Sequence, residues 1–89
     1  MKEENIKKIL TILTNAIKNN KCKEDNLKIN NLYNTLLNLN SRIISIGELD
    51  NIKKDVIDLE VKYDELDELS YYFDPVYISI KKNIHNMEV

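Results

Sequence analysis

Among the side chains of this protein that could do chemistry, carboxylates dominate, and they crowd between Glu48 and Asp74. Ten fall in that stretch (Glu48, Asp50, Asp55, Asp58, Glu60, Asp64, Glu65, Asp67, Glu68 and Asp74), opposed only by Lys53, Lys54 and Lys62. On a continuous helix, Glu60, Asp64 and Glu68 would form an i, i+4, i+8 ladder with Glu65 and Asp67 beside it, each like-charge contact costing about 0.2–0.5 kcal/mol. Such a ladder binds a hard cation weakly at most, because carboxylates on one helix cannot surround it. No EF-hand loop, Glu-x-x-His pair or glycine-rich phosphate loop accompanies it. The expectation is no metal and no cofactor.

Acid–base and nucleophilic chemistry fare no better. His85 is the single histidine, and its nearest acid in sequence, Glu88, sits at i+3, the spacing of a surface pair. Cys22 is the single cysteine, which excludes an internal disulfide and a CxxC pair and points to a free thiol in a reducing compartment. Lys21 and Lys23 flank it and would lower its pKa somewhat, yet a lone loop thiol is expected to be inert. The chain reads as a non-enzyme.

The acids then read as a surface. Asp50–Lys54 and Asp58–Lys62 have the favourable i, i+4 order and are expected to satisfy each other. The later acids need cations from elsewhere. Either Lys7, Lys8, Lys18, Lys81 or Lys82 supplies them across a groove, or a basic partner does, which would raise association rate and selectivity more than affinity. Ile57 and Val61 lie off the main apolar seam, on the side of Asp50, Asp64 and Glu68, and Tyr72 falls on that stripe about three turns later. An apolar centre rimmed by carboxylates suits a protein-binding patch; a broad helix touching two neighbours accounts for it as well. The partner-binding candidates are Ile57, Val61, Asp64, Glu65, Glu68 and Tyr72. Tyr71, Tyr72 and Tyr77, around Asp74-Pro75, suit either an interface or half-buried core.

These residues require helices to position them. Leu49, Ile52, Val56, Leu59, Tyr63, Leu66 and Phe73 keep a 3,4 spacing with only Ser70 out of step, predicting one long helix over 48–73. Before it, Ile6, Ile9, Leu10, Leu13 and Ile17 predict a helix over 3–18, with Ile12 and Ala16 at its flank. Asp25 is the expected N-cap of a second helix over 26–40, with Leu27, Leu32, Tyr33, Leu36, Leu37 and Leu39 on its apolar face and Asn38, Asn40 and Ser41 ending it. Ile43, Ile44 and Ile46 are expected to plug the bundle end, and Gly47 to separate the helices through a left-handed backbone. Asp74-Pro75 reads as a boundary opening a fourth helix over 75–87, with Val76, Tyr77, Ile80, Ile84 and Met87 inside and Lys81, Lys82 and His85 outside. The expectation is all-α: one small antiparallel four-helix bundle covering residues 1–89.

The totals agree. One Gly and one Pro among 89 residues leave little for hairpins. Residues 1–42 carry eight Lys/Arg against four Asp/Glu, hence +4, and residues 43–89 five against eleven, hence −6. The halves are complementary enough to fold onto one another. No apolar run approaches the ~20 residues of a membrane span, and no secretory leader is visible, so a cytoplasmic protein without membrane contact is expected. The basic residues are scattered and the domain is net acidic, which argues against nucleic acid as a partner. Thirteen Asn, thirteen Ile and twelve Lys against one Ala and one Arg is the bias of an AT-rich genome, such as a low-GC bacterium, a phage or a virus. Ser45-Ile46-Gly47 with Tyr63 and Asp67 lacks the aromatic that would complete the WxG signature of small secreted helical hairpins. Bacteriocin-immunity proteins share this size and architecture, without a shared motif.

The functional expectation is a protein-binding module that masks a basic partner through its acidic helix, as an immunity, antitoxin or phage or viral counter-defence inhibitor does. Self-assembly of the 48–73 seam, as a homodimer or larger structural oligomer, is the alternative. A small DNA-binding regulator using the basic first helix is the second.

Overall fold

The computed structural model describes residues 2–19, 21–39 and 44–88. Four helices carry the fold: α1 (Lys2–Asn19), α2 (Asn26–Leu37), α3 (Ile46–Lys62) and α4 (Leu69–Glu88). Single 3-10 turns, Lys23–Asp25 and Asp64–Leu66, precede α2 and α4, and no strand occurs among the described residues. The protein is a small all-α bundle, as its apolar periodicity predicts.

Cross-links fix the topology. Lys28 pairs with Asp58 at 4.0 Å and Tyr63 donates to Asp25 at 2.5 Å, so the start of α2 lies by the end of α3. Ser70 donates to Glu60, and Tyr77 to Asp50, so α3 and α4 run antiparallel. α1 lies along α4 and also touches α2 and the Asp64–Leu66 turn. The α2–α3 contact is the slightest of the four around the bundle. Each helix contributes a 3,4-spaced stripe to one core: Ile6, Ile9, Leu13 and Ala16; Ile29, Leu32 and Leu36; Leu49, Ile52, Val56 and Leu59; Leu69, Phe73, Val76 and Ile80. Cys22, Leu39, Ile44 and Leu66 seal its ends.

Several expectations change. The predicted 48–73 helix is two elements, because the chain turns extended at Tyr63 (φ −127°, ψ 125°). Continuous helix would have stacked Glu60, Asp64 and Glu68 on one face. The break instead sets Asp67 and Glu68 just ahead of the N-terminus of α4, where the helix dipole favours negative charge. Ser70, out of step in the seam, is where the register shifts: Leu69 takes the core position. Asp74-Pro75 is therefore no boundary. Pro75 sits inside α4 on its exposed side. The missing N–H and the ring's clash with the preceding turn are offset by burial of Phe73, Val76 and Ile80 on the opposite side.

At the other end, α3 starts two residues earlier than expected. Ser45 is its N-cap, its hydroxyl accepting from the Glu48 amide at 3.1 Å, the first half of a Ser-x-x-Glu box. Gly47 lies in the first turn of α3 and is not a left-handed separator; a Cβ there would meet only Ser45 Oγ, at 3.8 Å. Ile44 is buried as expected, whereas Ile46 is exposed. Within α2, Ile29 takes the core place assigned to Leu27 and Leu37, both of which face solvent. The helix ends at Leu37 with Asn38 as C-cap. The expectations for Asn40, Ser41, Arg42 and Ile43, and for the Met87 side chain, fall outside the described residues.

Because Pro75 is inside α4, Pro75→Ala restores an N–H donor and should stabilise the protein by about 1–3 kcal/mol. Urea melts followed by circular dichroism check this; a neutral or destabilising change would restore the boundary at Asp74-Pro75.

Candidate functional site

The acidic corner is built around the turn at Tyr63. Asp25 does not cap α2 with its side chain. Its carboxylate instead accepts from the Tyr63 hydroxyl at 2.5 Å and meets the Lys62 ammonium at 2.7 Å. Lys62 also reaches Glu24 at 3.5 Å and lies 5.4 Å from the centroid of the Tyr63 ring. The hydrogen bond from Lys62, then that from Tyr63, holds the Asp25 carboxyl below its usual range. The bond to Asp25 raises the Lys62 ammonium, and raises the Tyr63 phenol with help from burial. One step along the same corner, Glu60 receives the Ser70 amide at 2.8 Å and the Ser70 hydroxyl at 3.0 Å. A carboxylate from α3 thereby caps the first turn of α4.

The fold takes up most of the acids, with partners different from those expected. Lys62 turns to Asp25 and not to Asp58, which pairs with Lys28. Asp50 accepts from Tyr77 at 2.8 Å. Glu65 pairs with Lys21 at 3.9 Å, and not with Lys7, Lys8, Lys18, Lys81 or Lys82. The three described lysines that pair with acids (Lys21, Lys28 and Lys62) each join the first half of the chain to the second, as the opposed charges of the halves imply. Among the described residues, the side chains of Asp64, Asp67, Glu68 and Asp74 make no ion pair or hydrogen bond.

The six candidate residues separate into two groups. Asp50, Lys53 and Glu60 touch α4, and Ile57 belongs to their helical stripe, so it edges the α3–α4 groove. Ile57 is 43% exposed and Val61, one turn on, 81%. Asp64 and Glu68 follow in and beside the exposed turn below them. These four share the end of the α3–α4 hairpin. Glu65 points to α1, lining a small recess with Ile12, Ala16 and Lys21. Tyr72 lies on the flank of α4 opposite Ser70 and Tyr77, towards α1, half-buried against the core and edge-on to Tyr71 at 5.0 Å. The helix break at Tyr63 removes the shared stripe that joined Tyr72 to Ile57. Asp67, not among the six, is the further free acid at this corner.

A second surface lies between the start of α3 and the outer side of α4. Ile46, Tyr77, Ile78 and Ile84 line an open groove of about 530 Å³, edged by Lys81, Lys82 and His85. Tyr77 stands at its inner wall, with Lys53 at 4.3 Å and Lys81 at 5.5 Å from its ring. The recognisable signal was Ile78, apolar on the outer side of a helix whose inner stripe was already complete.

Two further groups bear on chemistry. Cys22 lies in the turn after α1, as expected, but is fully buried, and burial, with Glu65 and Asp25 nearby, pushes its pKa up, the reverse of the shift expected from its lysine neighbours. No grouping of three or more His, Cys, Asp or Glu suited to a metal occurs among the described residues, and none of their helices is long and apolar enough to cross a membrane. No protein-family model, curated protein or solved structure matches the chain.

The Asp25 network predicts a two-sided pH profile. The depressed carboxyl contributes stability above its unfolded value near pH 4, lost as pH falls through the folded value; the raised phenol and ammonium contribute below about pH 10, lost as pH rises past their folded values. Asp25→Asn should flatten both limbs in urea midpoints measured against pH; limbs unchanged from the parent would contradict the network. Glu60→Ala should cost about 0.5–2 kcal/mol through loss of the α4 cap, and amide exchange at Ser70 would show it locally.

Proposed function

We propose that this protein is a non-enzymatic binding module of the cytoplasm that masks another protein through the acidic end of the α3–α4 hairpin. The observation that carries the reading is the pairing of exposed apolar surface with acids whose side chains have no partner among the described residues. Val61 and Ile57 stand out from α3, while Asp64, Asp67 and Glu68 beside them have no side-chain partner among the described residues. Burying an apolar centre supplies affinity, and surrounding charge steers encounter and selects the partner. A protein presenting an apolar recess within a basic surface complements both features. Immunity, antitoxin and phage or viral counter-defence proteins work by masking of this kind, and the composition fits an AT-rich genome of that sort. Glu65 and Tyr72 act in this reading as supports on the α1 side of the corner.

The test separates binding from folding. Asp64→Lys with Glu68→Lys, and separately Val61→Glu, should abolish capture of a partner from lysate of the native host or its target cell. Both sites are exposed and without side-chain partners, so Val61→Glu should change stability by no more than about 0.5 kcal/mol, and the charge reversal by about 1 kcal/mol, through the loss of Glu68 ahead of α4. Capture unaffected by either variant would refute the site. Strong destabilisation would mean that these residues serve the fold.

A further inference from the structure

We propose that α4 pairs antiparallel with α4 of a second copy of this chain, through its outward face. That face is separate from the acidic end of the hairpin. It carries Tyr71, Ile78 and His85 at seven-residue spacing, with Asp74 and Lys81 alongside. All five are exposed, Tyr71 to 76% and Ile78 to 63%. The inward stripe of Leu69, Phe73, Val76 and Ile80 is fully occupied by the bundle core, so α4 presents a second, unpartnered seam on its other side. Residues at spacings of three and four along about 21 Å of helix form the seam that paired helices use.

Charge identifies the occupant and its direction. Along this seam the acid, Asp74, precedes the centre at Ile78, and the cations Lys81 and Lys82 follow it. Parallel pairing of two copies would set Asp74 against Asp74 and lysine against lysine. Antiparallel pairing about a two-fold axis near Ile78 sets Ile78 on Ile78, and Asp74 of each copy opposite Lys81 of the other, on the same side of the interface. It also brings Tyr71 opposite His85 and within reach of Lys82, a cation over an aromatic ring. The face is thus complementary to itself under two-fold symmetry, and the interface closes at two copies. It also covers the groove formed by Ile46, Ile78 and Ile84. The Asp74 side chain has no partner among the described residues, and Lys81 has only the ring of its own Tyr77. Both are therefore available. The α3 seam cannot serve in this way, because Leu49, Ile52, Val56 and Leu59 are inside the fold.

Sedimentation equilibrium of the full chain, from about 10 μM to about 1 mM, spans the range in which a small interface associates. The mass should rise with concentration from the 10.5 kDa of the chain towards twice that and no further. Asp74→Lys alone and Lys81→Glu alone should each remain monomeric, since each sets like charges opposite one another. An equimolar mixture of the two variants should dimerise again, because every pair across the interface is then of opposite sign. Circular dichroism on the same samples shows that helix content is kept. The proposal is overturned by a parent chain that stays monomeric throughout, by single variants that dimerise like the parent, or by a mixture that fails to recover.

Discussion

Where the chain leaves α3, one carboxylate from the opposite half of the sequence holds the exit in place. Asp25 takes the hydrogen bond of the Tyr63 phenol and the ammonium of Lys62 together. The residue it holds, Tyr63, is the one whose extended backbone ends the helix. The rest of the bundle depends on that turn. Because the chain reverses there, α4 comes back along α3, Glu60 reaches the first turn of α4, and Asp50 reaches Tyr77. Without the reversal, a single rod would extend past the bundle and Leu66, Leu69 and Phe73 would lose the core they now fill.

The same turn sorts the acidic residues. Ten carboxylates in a short stretch are a cost if they stay on one helix, and the fold reduces it in three ways. Some receive a donor from another element, as Asp50, Asp58, Glu60 and Glu65 do. Others move to the N-terminal approach of α4, where the helix dipole favours them. Asp64 stays in water at the tip of the hairpin, where Val61 is also exposed. The proposed masking surface draws on this exposed acidic tip.

Much of this was legible in the residues. The 3,4 stripes of α1 and of α3 up to Leu59, the all-α class, and the opposed charge of the two halves follow from spacing and count alone. The turn at Tyr63 was not, because Tyr63 and Leu66 continue the apolar spacing across it and the bonds that break the helix come from Asp25, far away in sequence. Two local signals were nevertheless present: Ser70 standing in a core position, and the like-charge run that a continuous helix would have to carry. Pro75 misled for a related reason. A proline after an aspartate is a sound helix-start pattern, but burial on the far side of α4 outweighed its local preference. The exposed candidates Ile57, Val61, Asp64 and Glu68 survived as neighbours because they adjoin the turn. Tyr72 did not, since its place depended on a helical phase that the turn resets.

The proposed binding role and the proposed pairing of the outer face rest on the same architecture, one hairpin with an acidic apolar tip and an outer seam on its second helix. Backbone Cα chemical shifts across residues 58–78 test that architecture most directly. Helical shifts are expected to Lys62, an extended value at Tyr63, and a return to helix at Leu69 that continues unbroken through Pro75. Helical shifts running from Glu48 to Phe73 with a break at Asp74 would contradict it.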